Sequence, residues 1–265
     1  MNPTNEGPVW QDSMFRQFLN PPNWFTAASM FCGMYAIVLA SGLEGEANFY
    51  RAGLMILFAG VFDTIDGGVA RLTKTGSDFG VQLDSLVDVV SFGIAPAFLL
   101  YAWGAQSLGT VGLAGAFVYA LCATFRLARF NTKADGTKSA WSEGLTVTMA
   151  GAAVASTVMA HATTGGALQQ PVGALLMALV LGFLMVSSVP FRGWKTLQIR
   201  PRDLTAVAIT LGLTLVISVR YDISWAFFLC NLVYSASGPV EGLLTRRWRV
   251  TDHEQPVRMD GSAAG

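Results

Sequence analysis

The stretch "DTIDGGVARLTKTGSDFGVQLDSLVD", residues 63 to 88, places four aspartates in sequence that otherwise has the composition of membrane-spanning helices. These are Asp63, Asp66, Asp84 and Asp88. A single charged side chain at the centre of a bilayer costs about 2.5 to 3.5 kcal/mol on insertion scales. Some other group must therefore stabilise four carboxylates at this depth.

The whole chain has the composition of an integral membrane protein. Of its 265 residues, 52% are hydrophobic and only 13% are charged, which is too few charges for an ordinary soluble domain. A spanning helix needs about 20 mostly apolar residues. Eight runs of roughly this kind cover residues 23–42, 51–71, 80–103, 108–128, 144–163, 169–190, 204–219 and 223–243. Because the connections are short, we predict an all-α membrane protein, a single bundle of about eight transmembrane helices.

The positions of the eight apolar runs divide the chain into three predicted parts. Residues 23–243 form the transmembrane domain, 1–22 a cytoplasmic N-terminal segment, and 244–265 a cytoplasmic, disordered tail. Apolar residues recur at helical spacing in the N-terminal segment. This pattern predicts either a helix lying on the membrane surface or a disordered tail with a few apolar residues.

The basic residues predict the orientation. Only Arg51 and Arg220, of 17 Lys and Arg residues, fall in segments that would be external with the N-terminus inside. Since cytoplasmic loops of membrane proteins are rich in Lys and Arg, both termini and the aspartate-rich helix ends are predicted to be cytoplasmic. We expect the protein in the inner (cytoplasmic) membrane of a bacterium.

Helical spacing places the four aspartates on two stripes. Asp63 and Asp66 lie three residues apart on one helix, and Asp84 and Asp88 lie four apart on the next. At a rise of about 1.5 Å per residue, Asp66 and Asp84 lie roughly 6 to 8 Å from the cytoplasmic boundary, and Asp63 and Asp88 roughly 12 Å. Two antiparallel neighbours would then present the carboxylates as two level pairs.

Four clustered carboxylates require protons or cations among them. Oxygen-only ligands favour Mg²⁺ or Mn²⁺, and two such ions form the arrangement that assists phosphoryl displacement, with a carboxylate left to act as a base. Two alternatives stay open: ion pairs with Arg71, Arg126 or Arg129 that only lock the bundle, and the ion path of a proton- or cation-coupled transporter. The single compact cluster, with no counterpart in the second half of the chain, argues against the transporter.

The aspartates also belong to an eight-residue pattern, D-x2-D-G-x2-A-R-x8-G-x3-D-x3-D, which resembles the signature of the CDP-alcohol phosphatidyltransferase family. The eight positions are Asp63, Asp66, Gly67, Ala70, Arg71, Gly80, Asp84 and Asp88. The resemblance implies a membrane enzyme that moves a phosphatidyl group from a CDP-linked lipid to an alcohol and releases CMP. It also implies a homodimer.

The resemblance implies a role for each position. Asp63, Asp66 and Asp84 would be metal ligands, and Asp88 both a ligand and the general base. The CDP-lipid would be bound by Gly67, Ala70, Arg71 and Gly80, with the small residues leaving room for the nucleotide and the arginine contacting its phosphates.

The stretch "PNWFT", residues 22 to 26, resembles the family's nucleotide pocket and suggests Asn23 and Thr26 as further binding residues. An equally good interpretation is a helix that simply starts after Pro21 and Pro22.

Three further stretches resemble the serine-accepting branch of the family: "DSLVDVVSFGIAPAFLL", "FRLARFN" and "LMVSSVPFRGWK". The implied partners are CDP-diacylglycerol, L-serine and membrane lipid, with no nucleic acid; glycerol 3-phosphate, inositol phosphate and choline remain alternative acceptors. Arg126 and Arg129 are candidates to bind the serine carboxylate or the diphosphate, or they are ordinary anchors at a helix end. Thr146 stands where this branch has proline, which leaves the acceptor open.

Overall fold

The computed structural model describes residues 21–43, 48–73, 78–133, 141–164, 170–192 and 222–245. Helices dominate these segments, which confirms the predicted all-α class. Their bounds are α1 Pro21–Ser41, α2 Phe49–Thr73, α3 Asp78–Asp88, α4 Ala95–Trp103, α5 Thr110–Lys133, α6 Val147–Thr163, α7 Pro171–Val186 and α8 Ile223–Thr245. The predicted span at 204–219 and the N-terminal segment up to residue 20 lie outside the described residues.

Within the described residues, five segments are long and apolar enough to cross a membrane: Pro22–Ser41, Phe49–Ala70, Phe79–Trp103, Thr110–Thr132 and Ile223–Val240. Helices α6 and α7 are apolar but shorter. Large apolar side chains such as Phe31 and Phe183 are 67% and 72% exposed on the outside of the bundle. Such exposure is unfavourable in water and favourable in lipid, so the protein is an integral membrane protein.

The third predicted span is one continuous segment with a change of helix type. Residues Val89–Ile94 form a π-helix between α3 and α4. The wider turn follows Asp88 directly, and π-helical turns are frequent at functional sites. The buried Tyr119 hydroxyl donates to the Phe92 carbonyl within this turn at 3.3 Å, which ties the π-helix to α5.

Small residues set the close packing of the bundle. Helix α1 packs on α2, α2 on α6, α5 on α7, and α6 on α8. A Cβ added at Gly33 would lie 2.8 Å from the Ser91 backbone, and one at Gly53 would lie 2.6 Å from Met159 Cγ. These glycines therefore let neighbouring helices approach more closely than any side chain would permit. At the last residue of α4, Trp103 Nε1 donates to His161 Nδ1 at 3.3 Å and joins α4 to α6.

A short strand pair, which the sequence did not predict, lies beside the starting point of α6 and the end of α7. Strand β1, Trp141–Glu143, pairs antiparallel with β2, Pro190–Arg192. Gly144 then turns the chain at φ 75°, a conformation that glycine adopts without strain. Thr146 caps α6 by accepting a hydrogen bond from Met149 N–H at 3.3 Å, so the helix begins three residues after the predicted limit of 144.

Candidate active site

Three of the four aspartates converge between α2, which carries Asp63 and Asp66, and α3, which carries Asp84. Asp63, Asp66 and Asp84 each offer a carboxylate oxygen, and these oxygens all lie within 4.8 Å of one another. Asp66 is only 5% exposed. Two like charges about 4 Å apart repel by about 4 kcal/mol at an effective dielectric of about 20, so the arrangement requires protons or cations among the carboxylates. A compact, oxygen-only donor set of this kind fits a hard divalent cation.

Asp88 lies beside this group of three without belonging to it. Among charged side chains it interacts most strongly with Asp63, followed by Asp84 and Asp66. Asp84 in turn interacts with Asp66. Asp63 interacts with Asp84 and then with Asp66, so the two level pairs expected from counting helical rise stay a prediction. Asp88 also interacts with the opposing charge of Arg126 on α5.

Helix α1 contributes directly to the aspartate cluster. The buried Thr26 hydroxyl lies 2.9 Å from Asp66 Oδ2 and 3.2 Å from the Pro22 carbonyl. Since the hydroxyl has one proton, the shorter contact to a carboxylate is the stronger hydrogen bond. Asn23 is also buried, one turn earlier. Helix α1 does begin at Pro21, so the two interpretations of "PNWFT" are compatible: the prolines start a helix that carries Thr26 to Asp66.

The small residues of the signature border open space. A Cβ added at Gly67 or at Gly68 would meet nothing within 4 Å. Ala70 and Gly80 are half-buried on the same two helices. Packing between helices therefore does not require glycine at 67, whereas a bulky ligand beside the carboxylates would. The Arg71 side chain lies outside the described part of the chain, so its predicted phosphate contact stays a prediction.

The two arginines proposed for the acceptor have different surroundings. Arg126 is 9% exposed and interacts with Tyr234 of α8 and with Asp88. Arg129, three residues later, forms an ion pair with Glu143 and donates Nη1–H to the Val186 carbonyl at 3.4 Å. Arg126 therefore interacts with Asp88 and with α8, whereas Arg129 joins α5 to β1 and α7.

Three residues around these arginines were not identified as site residues from the sequence. Glu143 pairs with Arg129, and Tyr234 packs on Phe191 with ring centroids 6.0 Å apart. Asn131 Nδ2 donates to Ser85 Oγ at 3.0 Å and joins α5 to α3 beside the site. The polar residues of "FRLARFN" thus each tie α5 to a different part of the bundle. Helical periodicity could indicate the face of each residue but not its partner on another helix.

The presence of threonine at position 146, where proline is expected, has a structural explanation that does not involve the acceptor alcohol. Its φ of −67° lies in the range that proline adopts, and its hydroxyl caps α6. Threonine and proline are both common at helix starts for different reasons, the one for its side-chain acceptor and the other for its fixed φ. The departure from the expected proline is therefore accounted for by the helix start.

Comparison with known proteins places all the predicted site residues within one matching region. Residues 19–189 match the sequence model of the CDP-alcohol phosphatidyltransferase family. A CDP-diacylglycerol--serine O-phosphatidyltransferase of Helicobacter pylori is 30% identical over 233 residues, which cover 81% of this chain and 94% of the relative. The protein of the same name from Mycobacterium tuberculosis is 30% identical over 225 residues, 81% of this chain and 77% of the relative. That from Saccharomyces cerevisiae is 43% identical over 122 residues, 45% of this chain and 43% of the relative.

Proposed function

The chain belongs to the CDP-alcohol phosphatidyltransferase family, and we propose from this membership that it transfers the phosphatidyl group of CDP-diacylglycerol to the hydroxyl of L-serine. The products are phosphatidylserine and CMP. The observation that carries the proposal is the convergence of Asp63, Asp66 and Asp84 within 4.8 Å, in a chain whose relatives over most of its length are named for this reaction.

The carboxylates are proposed to hold two divalent cations, Mg²⁺ or Mn²⁺. Asp63, Asp66 and Asp84 would be the principal ligands and Asp88 a further one. When bound, such ions supply the positive charge that stabilises phosphoryl displacement. Thr26 holds the Asp66 carboxylate through its 2.9 Å hydrogen bond, which fixes one ligand in orientation before any substrate binds.

The CDP-lipid is proposed to bind against the open side of α2. The space beside Gly67 admits the nucleotide next to the carboxylates. Ala70 and Gly80 keep neighbouring positions small, Arg71 supports the phosphates, and Asn23 contributes from α1. Because these residues lie on membrane-spanning helices, the acyl chains can remain in lipid while the diphosphate reaches the polar site.

Asp88 is proposed to accept the proton of the serine hydroxyl. The serine oxygen then forms a bond to the phosphorus of the phosphatidyl group as the bond from that phosphorus to CMP breaks. A general base must lie within hydrogen-bond reach of the proton that it removes, and Asp88 borders the ligand group without being a member of it.

The serine carboxylate is proposed to bind Arg126 and not Arg129. The hydroxyl and the carboxylate belong to one small molecule, so the group that binds the carboxylate must lie close to the base. Arg126 interacts with Asp88, whereas Arg129 is engaged by Glu143 and the Val186 carbonyl. An arginine fork matches a carboxylate with two parallel hydrogen bonds.

The proposal includes an active site on the cytoplasmic side of a bacterial inner membrane, supported by the concentration of Lys and Arg on that side. The N-terminal and C-terminal segments, 1–22 and 244–265, would both be cytoplasmic. A homodimer stays a prediction.

The test is to offer the purified protein CDP-diacylglycerol and Mn²⁺ with four labelled acceptors in parallel: L-serine, glycerol 3-phosphate, inositol phosphate and choline. We expect CMP release and labelled lipid with serine alone. A labelled lipid from another acceptor would keep the reaction class and reject serine. Ion flux through the protein in liposomes that contain no CDP-lipid would instead support the transporter.

A further inference from the structure

Glu143 lies at a junction of three segments on the cytoplasmic side. It is the last residue of β1, and its carboxylate forms an ion pair with Arg129 near the end of α5. The same guanidinium donates to the carbonyl of Val186, the last residue of α7. One charged group therefore links α5, β1 and α7.

The backbone around Glu143 is fixed on both sides. Glu143 lies opposite Pro190 in the strand pair. Gly144 N–H donates to the Val189 carbonyl at 2.9 Å, and Leu145 N–H donates to the Leu184 carbonyl at 3.0 Å. A Cβ added at Gly144 would lie 2.4 Å from the Met185 carbonyl oxygen, so this turn is held against the end of α7. The position of the Glu143 carboxylate is therefore fixed by contacts of its own backbone with β2 and the end of α7, and not by α5.

Arg129 stands one helical turn from Arg126, and residues three apart lie on neighbouring parts of a helix surface. Two guanidinium groups at this spacing both attract an anionic acceptor. The Glu143 carboxylate neutralises one of them, and Arg126 keeps its interaction with Asp88. Loss of the Glu143 charge would leave a second cation able to bind the acceptor carboxylate at a place remote from the base.

We propose that Glu143 is a positioning residue for the acceptor: by pairing with Arg129 it keeps that arginine out of acceptor binding, so that serine is bound by Arg126 beside Asp88. This inference rests on the proposed function and adds to it the residue that makes the two arginines unequal. The negative charge that neutralises Arg129 comes from Glu143 at the end of β1 and not from a residue of α5.

The test compares serine kinetics in four proteins: wild type, Glu143→Gln, Arg129→Gln and the double variant. Glu143→Gln should raise the KM for serine about tenfold while kcat and the KM for CDP-diacylglycerol change by no more than about twofold. The double variant should bring the KM for serine back to within about threefold of wild type, because removing both charges removes the competing cation; such non-additivity is the sign of a coupled pair.

A merely structural ion pair predicts the opposite result for the double variant, which would then be as impaired as Glu143→Gln or more so. That outcome overturns the inference, as does an unchanged KM for serine in Glu143→Gln. Asp222→Asn, which removes a carboxylate from the far end of α8, is the matched control and should leave the KM for serine unchanged. Absence of phosphatidylserine from the wild type would overturn the proposed function and this inference together, so the two failures are distinguishable.

Discussion

Small residues serve opposite purposes in two regions of helix α2. Beside Asp63 and Asp66, a Cβ added at Gly67 or Gly68 would meet no atom of the described residues within 4 Å. Near the first turns of α2, a Cβ at Gly53 would lie 2.6 Å from Met159 Cγ and 2.9 Å from the Ala155 carbonyl oxygen. The first region keeps a space beside the carboxylates, and the second lets α2 and α6 touch. The same residue type therefore borders the proposed binding site in one place and makes a helix contact in the other, and only the neighbouring atoms distinguish the two cases.

The largest effect is expected in the open region from loss of a carboxylate. Asp66→Asn keeps the size of the side chain and removes one charged ligand from the group of three. Because a bound metal ion contributes several kcal/mol to phosphoryl displacement, turnover should fall about 1,000-fold or more. Turnover and thermal unfolding would be measured on the same preparation, with Asp222→Asn as control. Activity within tenfold of wild type would remove Asp66 from the site.

The glycine pair tests the comparison itself. Gly67→Leu fills the open space and should lower kcat/KM for CDP-diacylglycerol about 100-fold, since a misplaced substrate costs about that much, without lowering the melting temperature. Gly53→Leu should do the reverse, because overpacking costs about 1 to 3 kcal/mol of stability. The fraction of the Gly53→Leu variant that stays folded should have the same kcat/KM for CDP-diacylglycerol as the wild type. If both variants lost stability equally, the space at Gly67 would be part of the packing and the comparison would fail.

Arg126 and Arg129 show the same contrast within one helix. Arg126 interacts with Asp88, whereas Arg129 joins α5 to β1 and α7. Arg126→Lys keeps the charge beside Asp88 but loses the fork, so the KM for serine should rise about 30-fold, the equivalent of about 2 kcal/mol. Arg129→Lys can still pair with Glu143, so this variant should change the KM for serine by about threefold at most. Initial rates at varied serine and saturating lipid measure both. A larger effect from Arg129→Lys would exchange the two roles.

The smallest effect is expected at Thr146. Thr146→Pro removes the α6 cap, worth about 1 kcal/mol, but suits the φ of −67° at this position. We expect a slightly lower melting temperature and an unchanged KM for serine. Thr146→Ala, which loses the cap without adding a ring, is the control. A changed preference among acceptors in Thr146→Pro would show that this residue selects the acceptor after all.

Much of the fold followed from hydrophobic periodicity and charge distribution. Seven of the eight predicted spans correspond to described helical segments, and the spacing of Asp63, Asp66 and Asp84 anticipated that they would meet. Periodicity reports which face of a helix a residue occupies, and short connections make consecutive helices neighbours. Together these were enough to predict that carboxylates of α2 and α3 meet at one site.

Other features depend on contacts that periodicity cannot reveal. The π-helical turn after Asp88 changes the hydrogen-bond pattern within an apolar run that otherwise has ordinary helix-forming composition. The pairing of Glu143 with Arg129 requires β1 and β2, two three-residue strands almost 50 residues apart. Tyr234 approaches Arg126 only because α8 packs against α6 and β2. In each case the partner is chosen by tertiary packing and not by local sequence.

The most direct test of the central claim, that the aspartate cluster carries out cation-dependent phosphatidyl transfer to serine, is a Mn²⁺ titration of metal-stripped protein. Formation of labelled phosphatidylserine from CDP-diacylglycerol and labelled L-serine would be followed. The account predicts no product after chelation and full recovery as Mn²⁺ is added back. Phosphatidylserine formed at an undiminished rate by the metal-free protein would contradict it.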